Sequence, residues 1–190
     1  GVPSALDFVE ITAAGTYTVT LQGAGAAAFL TIGGAGGAPT LAVQGASAKG
    51  NASLRVSGGI DNAGAIRLES TEGVYAANLT LAGGALVNRG AVAVHAGTGG
   101  QRLLSGDLRN RGRFSVDAAV QFSKSGGVYL NAGEFIVEAG RTLSISGASQ
   151  VFRQQEGSLK VRGDLSLSSM TFNFDGGAIP EKPPLLLNTA

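Results

Sequence analysis

Five residues that could do chemistry stand at one fixed place in a recurring phrase. Glu69, His95, Asp117, Glu138 and Arg162 each follow a glycine by five positions, counting from Gly64, Gly90, Gly112, Gly133 and Gly157. If the phrases stack, His95 lies between two carboxylates, each about 5 Å away along the stack. The triplet Glu69, His95 and Asp117 has ligand types suited to a divalent cation. It could equally hold a carboxylic acid of raised pKa for polysaccharide cleavage. A plainer account competes, in which stacked repeats carry mixed charged columns outside for solubility and register. One histidine without a supporting ligand spacing favours that account. The working expectation is therefore a protein that is not an enzyme, with no catalytic residue and no cofactor.

A second constellation is basic. Arg89 and Arg111 share the same corner of the phrase, and Arg102, Arg109 and Arg113 lie close in sequence. Guanidinium groups pair well with carboxylate and sulfate, so Arg89, Arg109, Arg111 and Arg113 are candidates for an acidic glycan strip. Against this stands a solvated corner with Arg113 over Glu134 as a surface ion pair worth a few tenths of a kcal/mol. Tyr17, Tyr75 and Tyr129, read as exposed, would offer sugar-stacking rings, but they fall in different registers. Thr16–Thr20 has the alternation of a flat threonine array, without recurrence later. Gly33–Gly37 lacks the Gly-Lys-Ser/Thr ending of a phosphate loop.

These residues are positioned by the phrase itself, Asn-x-Gly and then an alternating run. It reads Asn62-Ala63-Gly64-Ala65-Ile66-Arg67-Leu68, and returns from Asn88, Asn110 and Asn131, with a degenerate copy from Gln155. Glycine-to-glycine gaps of 26, 22, 21 and 24 residues follow from the positions above, and a period in the low twenties is the mark of a solenoid. Glycine interrupts nearly every window long enough for a helix. Short alternating runs with regular connections therefore predict an all-β chain, a right-handed parallel β-helix with coils of 21–26 residues. A Greek-key sandwich is the alternative, and it would not require copies to look alike. Stacking would place Ile66, Val92, Phe114, Phe135 and Leu159 in one inward file, and Leu68, Val94, Val116, Val137 and Val161 in another. Arg67, Ala93, Ser115, Ile136 and Lys160 would point outward. Asn62, Asn88, Asn110 and Asn131 would form an internal amide ladder, with the following glycine admitting a left-handed backbone.

Composition sets limits. Of 190 residues 31 are glycine and none is cysteine, and charged residues make up 14%. An average domain carries about 25% charged residues. A net charge of +1 gives no field that predicts nucleic-acid binding. The absence of an 18-residue apolar run argues against membrane insertion by a helix. The organisation expected is one solenoid domain over 1–190. Residues 1–50 form a cap and irregular first coils, 51–175 regular coils, and 176–190 a tail. That tail either covers the last coil or starts another. A start at Gly1 without methionine suggests a processed product or a piece of a longer parent chain.

Leu143-Ser144-Ile145-Ser146-Gly147, Leu130-Asn131-Ala132-Gly133-Glu134-Phe135 and Phe172-Asn173-Phe174-Asp175-Gly176-Gly177 resemble repeats of large bacterial secreted β-solenoids. Autotransporter passenger domains and adhesin-like surface proteins are of this kind. Pro3–Ile11 is similar to the segment that starts such arrays. The resemblance implies an extracellular or cell-surface bacterial protein, serving as a non-catalytic structural or adhesive module. Its partners would be a polysaccharide or a host or cell-surface glycan. The alternative is a carbohydrate-binding module, or a relative of polysaccharide-degrading β-helices.

Overall fold

The computed structural model describes residues 3–72, 74–95, 97 and 99–180, with the backbone of Leu185–Asn188. Residues 176–180 of the expected tail are therefore described, and the rest of it only as that backbone. Among the described residues there is no helix, and every strand pairing is parallel.

The chain winds through about 7 turns of a β-solenoid. Coil 1 holds β1 (Phe8–Ile11) and β2 (Thr18–Leu21). Coil 2 holds β3 (Ala24–Ala27), β4 (Phe29–Ile32) and β5 (Thr40–Gly45). Coil 3 is β6 (Ala52–Val56), β7 (Ile60–Asn62) and β8 (Ala65–Ser70). Coil 4 is β9 (Ala77–Asn88) and β10 (Ala91–Val94), and coil 5 is β11 (Arg102–Asn110) and β12 (Arg113–Val116). Coil 6 comprises β13 (Val120–Phe122), β14 (Val128–Asn131) and β15 (Glu134–Val137). Coil 7 comprises β16 (Thr142–Gln154) and β17 (Ser158–Val161). Above them lie β18 (Asp164–Phe174) and β19 (Leu185–Asn188), with Leu185 paired to Leu165. The tail thus resumes the stack as a further strand.

Each full coil has three sides. The strand after the Asn-x-Gly corner joins a seven-stranded sheet running from β2 to β17. The other two sides share a twelve-stranded sheet, whose longest strands bend from one side to the next. In β11 the register shifts between Ser105 and Asp107, and in β16 between Ser146 and Gln150, where Ser149 has a φ of 60°. The stretch leading into each Asn-x-Gly corner is thus a β side in its own right, a separate strand in coils 3 and 6 and the far half of a long strand in coils 4, 5 and 7. Ala24–Ala27 is a strand too, although Gly23–Gly25 reads from sequence as loop. Its alanines and glycine give no alternation to see, and pairing with β6 makes it a strand.

The two apolar files are as expected. Ile66 pairs with Val92, Val92 with Phe114, Phe114 with Phe135 and Phe135 with Leu159, all 2% exposed or less. Phe114 and Phe135 stack at 4.7 Å between centroids, while Phe122 meets Phe114 edge-on at 5.6 Å. Burying each such side chain is worth about 1.5–3 kcal/mol, so the files supply the main cohesion between coils. Two outward expectations fail, because Ser115 and Ile136 are buried although their strand positions face out. Ile136 is flanked by Glu134 on β15 and by Glu138 just after it, each bridged to a cation of coil 7, Lys160 and Arg162. Long side chains with apolar stems close over the position between them.

Candidate functional site

The amide ladder is the most regular polar feature. Asn62 Nδ2 donates to Asn88 Oδ1 at 2.8 Å, Asn88 to Asn110 at 2.7 Å and Asn110 to Asn131 at 2.7 Å. Each amide also donates to a carbonyl one coil up, those of Ala91, Arg113, Glu134 and Ser158 at 2.9–3.1 Å. A fifth rung is Gln154, whose Oε1 accepts from Asn131 at 2.8 Å. The sequence alignment placed Gln155 there. This corner holds one residue more than the others, since Gln154 pairs with Asn131 and Ser158 with Glu134. Gln154 Nε2 turns into the longer corner to reach the Glu156 carbonyl at 2.6 Å. Below Asn62 the file continues as Ile32, and above Gln154 as Phe174. Asn62 Oδ1 is consequently buried without a donor.

The corner glycines have a different cause from the one expected. Gly157 alone among the five has a positive φ, 64°. At Gly90, Gly112 and Gly133 a Cβ would fall on the glycine carbonyl oxygen of the coil beneath. Close backbone approach, rather than a left-handed conformation, excludes a side chain there.

The charged column keeps its register but is drawn into neighbouring coils. Backbone amides of His95, Asp117, Glu138 and Arg162 donate to Leu68, Val94, Val116 and Val137, so the five residues do stack. Glu69, 8% exposed, accepts from Gln44 Nε2 at 2.7 Å and lies 3.5 Å from Arg67 Nε. Gln22 donates in turn to Gln44 at 2.7 Å. This second ladder was readable, because Leu41-Ala42-Val43-Gln44 repeats the spacing of Ile66-Arg67-Leu68-Glu69. Arg162 reaches Glu138 at 3.1 Å, and His95 lies exposed after β10. Among the described residues no three His, Cys, Asp or Glu side chains gather as a metal site.

The basic group divides. Arg89 is paired with Asp61, and Arg113 with Glu134 at 2.5 Å, as the ion-pair reading had it. Lys160 reaches the other Glu134 oxygen at 2.5 Å, and this bond, with Arg113 adding to it, holds the Glu134 carboxyl below its ordinary range. Arg102 is not on the strip at all. It points inward, stacked on Ala77, is 2% exposed, and donates to the carbonyls of Gly99, Gly100 and His95. Burial pulls its pKa down, and the nearby Glu69 charge opposes this. Tyr129, counted with the exposed rings, is wholly buried against Phe122 at 5.1 Å, and burial pushes its phenol up to about 12.

Arg109 and Arg111 remain exposed, and neither has an ion-pair partner among the described residues. They line an open groove of about 660 Å³ with Asp107, Val128, Leu130, Ala132, Gln155 and Glu156. Asp107 is bridged to Lys124 at 2.8 Å and accepts the Val128 amide at 2.9 Å. Sequence reasoning named the two arginines and missed the floor, which exists because coil 6 presents short side chains between longer ones.

The class these features define is a parallel β-solenoid with internal amide ladders and charge-paired outer columns. No protein-family model, curated protein or solved structure matches the chain.

Proposed function

We propose that the chain is a non-catalytic structural and adhesive module of an extracellular bacterial surface protein. The observation that carries this is where the polar side chains go. Ladders at Asn62–Gln154 and Gln22–Glu69, and ion pairs Arg89–Asp61, Arg113–Glu134–Lys160, Arg153–Asp175 and Arg162–Glu138, all run from one coil to another. Chemistry-bearing groups are thereby engaged in holding a rod together. At the β1–β3 end, Val9, Ile11, Val19 and Leu21 line an open apolar hollow, with Val19 39% exposed, which suits further coils of a longer parent chain.

Beads carrying the purified chain would be scored for attachment to bacterial and host cells, and the soluble chain for reducing-end release from a polysaccharide panel. Attachment without product release is the expected result. Failure to attach to any surface removes the adhesive part. Turnover abolished by His95→Ala overturns the non-catalytic part.

A further inference from the structure

We propose that the groove over coils 5 to 7 binds an acidic polysaccharide, with Arg109 and Arg111 holding an anionic group of one sugar. This rests on the adhesive reading and names its ligand. Arg109 stacks on Leu130, which stacks on Arg153, so a row of short side chains in coil 6 lies between two rows of longer ones. Val128, 40% exposed, with Leu130 and Ala132 gives an apolar floor for the C–H face of a sugar ring.

The walls differ in charge. On the coil 5 side, Arg109 near the end of β11 and Arg111 in the corner after it both line the groove, their Cα atoms no more than about 7 Å apart. Two guanidinium forks at that distance converge on a single carboxylate or sulfate. Asp107 at the end of that row is already bridged to Lys124, and Arg153 opposite is bridged to Asp175 at 3.0 Å. The two arginines therefore carry the uncompensated positive charge of the groove. On the coil 7 side, Gln155 and Glu156 offer acceptors to sugar hydroxyls, and Glu156 repels an anion. The charged group is thus confined to the arginine wall.

A glycan fits better than an acidic peptide. An extended peptide gains much of its affinity by adding to a sheet edge through main-chain hydrogen bonds. Here the floor is a sheet face, with β14 already paired to both β11 and β16. Recognition falls to side chains, which suits a ligand dense in hydroxyls.

The test is calorimetric titration of the whole chain with four probes. These are a galacturonate hexasaccharide, a heparin-derived hexasaccharide, cellohexaose and a hexaglutamate peptide. Saturable binding of an anionic hexasaccharide is expected, weakened at least about tenfold in Arg109→Ala/Arg111→Ala and unchanged in Arg89→Ala, whose arginine is paired elsewhere. The uronate and sulfate arms tell which anion is preferred. Arg109→Gln/Arg111→Gln, with melting followed alongside, separates lost binding from lost fold. Unaltered binding in both double variants, equal binding of cellohexaose, no binding of either anionic probe, or hexaglutamate binding as tightly would each overturn the proposal. Cell attachment that persists in the double variants removes this site and leaves the adhesive reading standing.

Discussion

At the scale of single residues, the asparagine file carries the sharpest energetic statement. Asn110→Leu keeps the branched outline of the side chain but strips the donor from Asn131 Oδ1 and from the Glu134 carbonyl, and takes the acceptor from Asn88 Nδ2. Each buried group so orphaned costs about 1–3 kcal/mol, so a loss of about 3–5 kcal/mol is expected in denaturant unfolding. Asn62→Leu removes a rung whose oxygen already lacks a donor and whose neighbour below is Ile32, and it costs distinctly less. Equal losses would mean the ladder is not what holds these corners. The glycines allow a parallel comparison. Gly112→Ala drives a methyl onto the Gly90 carbonyl, where backbone cannot move aside, and should cost several times the roughly 1 kcal/mol of Gly140→Ala. Gly140 has a φ of 69° with open space around it. The two melting temperatures decide which cause of glycine is the stronger.

Among the elements, much was legible from spacing alone. Alternation after each Asn-x-Gly fixed which residues face in, because a period of two leaves no other assignment once one file is apolar. Illegible were Ala24–Ala27, which has no side-chain contrast, and the one-residue insertion that puts Gln154 in the ladder. The groove was equally hidden, since it depends on which cations find a carboxylate one coil away. Arg113 found Glu134, and Arg109 found none among the described residues. The Glu134 bridge also sets a pH response for β12, β15 and β17. Its folded pKa is depressed, so its contribution is present above the unfolded glutamate value of about 4.3 and is lost as pH falls through the folded value. Melting temperature should therefore drop on acidification below about pH 5, and drop less steeply in Glu134→Gln. Because the group is partly solvated, the difference amounts to a few tenths of a kcal/mol. Identical profiles would remove the bridge from the account of acid stability.

For the whole molecule, cohesion is a sum of contacts between adjacent coils, and a coil at an end has a neighbour on one side only. The β1–β3 end is poorer still. Val19 is 39% exposed, Phe8 and Phe29 stack on each other at 6.4 Å without burial, and β2 pairs with β5 alone. Coils 4 to 6 have the reverse situation. Their strands are paired above and below, the phenylalanine file runs through two of them, and the amide ladder crosses all three. Hydrogen exchange should accordingly rank the amides by distance from the end. Those of β2 and β4 should exchange through local opening, orders of magnitude faster than those of β10, β12 and β15. In such a rod, Asn110→Leu speeds exchange most at β11, β12 and β14, and leaves β2 nearly unchanged. Uniform protection along the chain, or an equal response at β2, would show a single cooperative unit. The coil-by-coil additivity argued from register would then be wrong.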